Sequence, residues 1–73
     1  MPIERPFDFL NSAVNKTVLV RLKGKRELRG KLIAFDVHMN IVMEEVEELE
    51  DDKVLKKIGP MLVRGDNIVF VSP

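Results

Sequence analysis

The chain of 73 residues has no cysteine, no tryptophan, no tyrosine and a single histidine. Without cysteine there is no disulfide to staple a small fold, and the composition suits a reducing compartment. His38 is the only imidazole, so no zinc site is expected. No apolar run approaches the roughly 18–20 residues of a membrane span, so no membrane partner is expected. The opening Met1-Pro2-Ile3-Glu4-Arg5 lacks the apolar core of a signal peptide, and a cytoplasmic location is expected. Net charge is absent too: 12 basic residues balance 12 acidic ones. Bulk electrostatics therefore do not favour a polyanionic partner.

A chain this short buries only roughly 60% of its unfolded surface, which leaves stability marginal. With no disulfide and no metal, self-association is the remaining source of burial. The charges, although balanced, are segregated. Residues 16–31 hold Lys16, Arg21, Lys23, Lys25, Arg26, Arg29 and Lys31 against Glu27 alone. Residues 44–52 are acidic except for Val46 and Leu49. Two solvated faces would explain this. Alternatively, the two regions meet across neighbouring subunits, or the basic one faces phosphates.

The whole chain, 1–73, reads as one domain. A helix is expected over about residues 6–15. Pro6 suits a first turn, where its missing N–H costs nothing, and Asp8 suits the positive end of the dipole. Phe9 or Leu10 with Ala13 and Val14 falls on one face. Asn15 tolerates a left-handed exit. Strands are expected within 17–72. Residues 17–22 are β-branched and end at the turn Lys23-Gly24-Lys25. Residues 26–35 form a second strand, with Gly30 marking a sharp bend. A third strand runs from Asn40 to Val46, and the acidic segment then turns at Asp51-Asp52. A fourth runs from about Lys53 to Val63, interrupted at Gly59-Pro60, and Ile68-Val69-Phe70-Val71 is the last. One helix followed by a five-stranded, strongly bent antiparallel sheet makes a small open barrel. Apolar residues near Phe35, Met43 and Phe70 exceed what its interior can hide. They predict a sticky face or edge, and hence assembly.

Two turns carry polar groups that the fold alone does not require: Asp36-Val37-His38-Met39-Asn40 and Arg64-Gly65-Asp66-Asn67. His38 and Arg64 have flat faces that can sandwich a base. Asn40 offers an acceptor and a donor to a base edge. Uracil presents a donor at N3 and an acceptor at O4, and cytosine presents the reverse. Selectivity therefore requires the Asn40 amide to be held one way round. A carboxylate can only accept, so one contacting the amide nitrogen would aim the carbonyl at N3 of uracil. Asp36 and Asp66 are the candidates for this role. Each aspartate has an ordinary alternative, which is to cap its own turn.

Phe7-Asp8-Phe9-Leu10-Asn11, Leu22-Lys23-Gly24-Lys25-Arg26-Glu27, Arg29-Gly30-Lys31-Leu32, Phe35 to Asn40 and Arg64 to Val69 together resemble the Sm-like (Lsm) proteins, particularly the archaeal ones. The likeness runs from Pro6 to Pro73. It implies a helix on a five-stranded bent barrel. It also implies a ring, usually of seven subunits, in which the fourth strand of one pairs with the fifth of the next. The family's uridine pocket falls on His38, Asn40 and Arg64, with Asp36 supporting the loop and Gly65 and Asp66 completing the second turn. Such pockets would repeat around the inner rim of a central pore. Two positions depart from the pattern. Lys25 stands where many relatives have a second glycine, and Phe35 where some have tyrosine.

The expected function is thus a subunit of a homo-oligomeric ring that binds single-stranded U-rich RNA in RNA processing or ribonucleoprotein assembly. RNA-processing proteins are the expected further partners. The alternative is a ring-shaped protein scaffold that touches RNA incidentally. No cofactor and no catalysis are expected. Ser12 and Ser72 lack a nucleophile-elbow context, and there is no glycine-rich phosphate loop. A single-stranded DNA-binding barrel would present several aromatic stacking residues, and this chain has neither tryptophan nor tyrosine.

Overall fold

The computed structural model describes residues 5–73. Helix α1, Pro6–Ala13, opens on Pro6 and turns Leu10 and Ala13 into the core. It ends two residues before the expected limit. Asn15 nevertheless takes the left-handed conformation (φ 69°), and its N–H donates to the Leu32 carbonyl at 2.7 Å. The exit from the helix is thus tied directly to the sheet.

Six strands follow: β1 Thr17–Leu22, β2 Arg26–Phe35, β3 Ile41–Glu50, β4 Lys53–Ile58, β5 Met61–Val63 and β6 Ile68–Ser72. All pairings are antiparallel, in the order β4-β3-β2-β1-β6, with β5 also on β3. The expected fourth strand is β4 and β5, split at Gly59-Pro60. Proline cannot donate to a ladder, so the chain breaks there. The sheet is open. β5 pairs only with β3, and β6 only with β1, leaving an unpaired edge on each.

The bend is built where β2 meets β3. The register shifts between Arg29 and Lys31, so that Gly30 faces the bulge around Glu45, whose φ is 53°. A Cβ at Gly30 would lie 3.0 Å from the Glu44 carbonyl oxygen and 3.1 Å from Val46 Cα. Only glycine lets the two backbones approach this closely. Val18, Val20, Leu28, Leu32, Ile41, Met43 and Val46 fill the interior, each almost fully buried. Burial of each such side chain stabilises by about 1.5–3 kcal/mol.

Three sequence expectations change. Met43 is enclosed rather than exposed, because the bent β3 turns it inward opposite Met61. Phe70 is exposed as expected, and on the strands it is joined by Leu62 on β5, Val69 on β6 and Val54 and Leu55 on β4, with Phe7 and Val37 exposed elsewhere. The acidic segment is strand as far as Glu50, and only Asp51 and Asp52 turn, both with positive φ. The basic and acidic regions meet within one chain. Arg26 contacts Glu48 at 2.8 Å, and Arg29 contacts Glu47 at 2.9 Å.

Candidate functional site

Asn40 and Gly65, one in each polar turn, lie 25 positions apart in sequence, yet strand register brings them together. Ile41 opens β3 and pairs with Val63, the last residue of β5. Asn40 and Arg64 are the next residues outward on these two strands. The first turn is closed by backbone bonds from Asp36 N–H to the Asn40 carbonyl (3.1 Å) and from Met39 N–H to the Asp36 carbonyl (3.0 Å). Met39 adopts a left-handed φ of 63°, and its side chain packs against the core, anchoring the turn from below.

Asp36 organises this turn with both carboxylate oxygens. Oδ1 accepts the backbone N–H groups of His38 at 2.9 Å and Asn40 at 3.1 Å. Oδ2 accepts the Asn40 side-chain Nδ2 at 3.1 Å. The Asn40 side-chain bond is the largest influence holding the Asp36 carboxyl below its usual value of 3.8. Desolvation opposes it, and the two backbone bonds and the His38 charge add to it. Asp36 therefore performs both roles weighed in the sequence, capping the turn and holding the amide. Asp66 does neither at Asn40. The short 3-10 turn Gly65–Asn67 places its carboxylate 3.1 Å from Arg64 Nη2.

The second turn completes the orientation of Asn40. Its Oδ1 accepts the Gly65 N–H at 2.8 Å. Asp36 can only accept and the Gly65 N–H can only donate, so both contacts demand the same orientation of the amide. One acceptor lone pair on Oδ1 and one N–H on Nδ2 remain for a ligand. Glycine is required at position 65 for space. A Cβ there would overlap the His38 carbonyl oxygen and lie 2.9 Å from the Met39 carbonyl carbon.

His38 and Arg64 both reach solvent beside Asn40, with the Arg64 side chain 72% exposed. They are available to a ligand rather than committed to the core. Sequence reading missed the Gly65 N–H as the second hold on Asn40, and Met39 as the anchor. It also missed that Lys23 N–H donates to the Asn67 carbonyl at 2.9 Å, tying the β1–β2 loop to this site. No sequence signal singled out Met39, since Val37 in the same turn is equally apolar and yet exposed. Beneath the turns, an apolar groove of about 370 Å³ runs between α1 and β6, lined by Phe9, Leu10, Met39 and Val71 among others. Among the described residues, no group of three or more side chains is placed to hold a metal ion. No helix among them is long and apolar enough to cross a membrane.

Known proteins share this architecture. An snRNP Sm-like protein of Methanococcoides burtonii is 58% identical over 69 residues, covering 94% of this chain and 96% of its own. A Pyrococcus abyssii Sm protein, solved in complex with a uridine heptamer, superposes with a TM-score of 0.92 at 43% identity, covering 96% of this chain and 99% of its own. A heptameric archaeal Sm protein superposes with a TM-score of 0.83 at 45% identity, over 89% of this chain and 94% of its own. The LSM domain model matches residues 8–73, and with these relatives it shows that the chain belongs to the Sm-like (LSM domain) family.

Proposed function

We propose that the protein is a subunit of a homo-oligomeric ring, heptameric as in the P. aerophilum and other archaeal relatives, that binds single-stranded U-rich RNA at the rim of its pore. The observation that carries this reading is the doubly held Asn40 amide. Its free acceptor faces a donor at uracil N3 and its free N–H an acceptor at O4, whereas cytosine would present like to like. His38 and Arg64 supply stacking surfaces on either side of the base. Asp36 and Gly65 hold Asn40, and Asp66 steadies the Arg64 guanidinium.

The edges support assembly. β5 carries Leu62, 63% exposed, and β6 carries Val69, 59% exposed, each on a strand with one unpaired side. Pairing β5 of one copy with β6 of the next satisfies both edges and covers these side chains. Stacking contributes only about 1–3 kcal/mol per base. Repetition around a ring raises the effective concentration of each following nucleotide and thus the avidity.

Oligo-U and oligo-C binding by the purified protein tests the reading. Oligo-U is expected to bind more tightly, and His38→Ala or Arg64→Ala to weaken it at least tenfold, while Lys53→Ala leaves it unchanged. Equal affinity for both oligomers would favour the protein-scaffold alternative.

A further inference from the structure

The ring reading leaves a specificity problem. Arg26 and Arg29 lie on β2, outside the two polar turns, and such cations attract any phosphate backbone. The register shows how they are answered. Glu47 stands opposite Arg29 on one side and Lys57 on the other. Glu48 stands opposite Lys56 and reaches diagonally to Arg26 at 2.8 Å. Leu28↔Glu48 and Arg29↔Glu47 are successive register steps, so the two glutamates project from opposite faces of the sheet. Two acids thus pair with two arginines, one on each face. Asp51 and Asp52, in the turn just beyond, form none of the ion pairs found among the described residues.

We propose that Glu47 and Glu48 are specificity determinants that mask Arg29 and Arg26 from phosphates, confining RNA to the uridine pockets. This rests on the reading that RNA enters through the two polar turns. Exposed ion pairs contribute little to stability. An acid paired one to one with an arginine does, however, offset the local field that would draw a polyanion without regard to sequence.

The test compares oligo-A and oligo-U binding by the full chain over a salt series. Glu47→Gln/Glu48→Gln is expected to gain oligo-A affinity at low salt. Two additional phosphate contacts steepen the slope of log affinity against log salt by about 1.4, so that about sevenfold more binding is lost between roughly 50 and 200 mM salt. Asp51→Asn/Asp52→Asn makes the same change in net charge and is expected to gain no oligo-A affinity. Adding Arg26→Gln and Arg29→Gln to the glutamine pair is expected to abolish the gain. Unchanged oligo-A binding by the Glu47/Glu48 pair, or an equal gain in the Asp51/Asp52 pair, overturns the proposal. Should the double variant fail to assemble, Glu47→Gln alone is expected to show about half the slope change, and none would equally overturn it. Failure of the pocket reading appears separately, as a wild-type protein without preference for oligo-U.

Discussion

Gly65→Ala is a sharp perturbation of the site because glycine is there for space alone. Its φ lies outside the left-handed region, so the new methyl group brings no backbone strain of its own. It would overlap the His38 carbonyl oxygen and come within 2.9 Å of the Met39 carbonyl carbon. Both obstacles are backbone atoms, and Met39 is anchored in the core, so neither yields as a flexible side chain would. Overpacking of this kind costs about 1–3 kcal/mol, and restricting the unfolded chain returns about 0.4–1 kcal/mol. The net loss is centred at about 1.3 kcal/mol, with an upper bound of about 2.6 kcal/mol, and the central value lowers Tm by roughly 5–10 °C in a domain of this size. The turns separate along the 2.8 Å bond from Gly65 N–H to Asn40. A weakened bond of this type amounts to about 1 kcal/mol, or roughly fivefold in affinity per pocket. Thermal unfolding at one fixed protein concentration reads the first effect, because assembly makes Tm depend on concentration. Oligo-U titration reads the second. Gly59→Ala is the control, since nothing lies within 4 Å of a Cβ there. A Gly65→Ala protein as stable as the Gly59→Ala protein, with oligo-U affinity intact, would refute the steric reasoning.

Asp36 has a lowered pKa, so its contribution is fully present above the ordinary value of 3.8 and is lost as pH falls through the lower folded value. Carboxyl NMR should show it titrating below that value, and Asp36→Asn should remove this component of acid unfolding; titration at or above 3.8 contradicts the geometry. Lys25 occupies the left-handed region at φ 64°. That conformation costs lysine about 1–2 kcal/mol, against about 0.5–1 kcal/mol for the greater freedom of glycine. Lys25→Gly should therefore raise Tm by a few degrees in a melting experiment, and a fall would show that the lysine side chain supplies a compensating contact. Leu62→Asp places a charge on the unpaired β5 edge. Light scattering should report species smaller than the wild-type assembly while circular dichroism keeps its β signature, and an intact assembly would exclude this edge from the subunit contact.

Local structure was largely legible in the sequence, because each element carried its own signal. Val18, Val20 and Leu22 alternate, Gly24 punctuates the first hairpin, and Pro60 breaks the strand in which it falls. The Asx-type hold of Asp36 on its own turn could also be anticipated, since it spans only four residues. What could not be read depends on register. The Gly65–Asn40 bond exists because Val63 pairs with Ile41, a pairing that no local pattern specifies. The run of Glu44 to Glu50 left a solvated face open as a reading because Arg26 and Arg29, which pair with Glu48 and Glu47, lie on another strand. Met43 looked surplus to the core because the depth of the bend at Gly30 is a property of two strands together.

The free edges on β5 and β6 are unlike each other, and that has a consequence for growth. A unit with one kind of edge at each end adds copies head to tail, and its chemistry contains no instruction to stop. Termination is then purely angular, set by whether the turn from one copy to the next divides a full circle. That turn is fixed by the curvature of the sheet, and the curvature is set where Gly30 lets β2 close on Glu44 and Val46. In the proposed ring, a glycine on β2, a strand that joins no neighbour, thus contributes to the angle between copies.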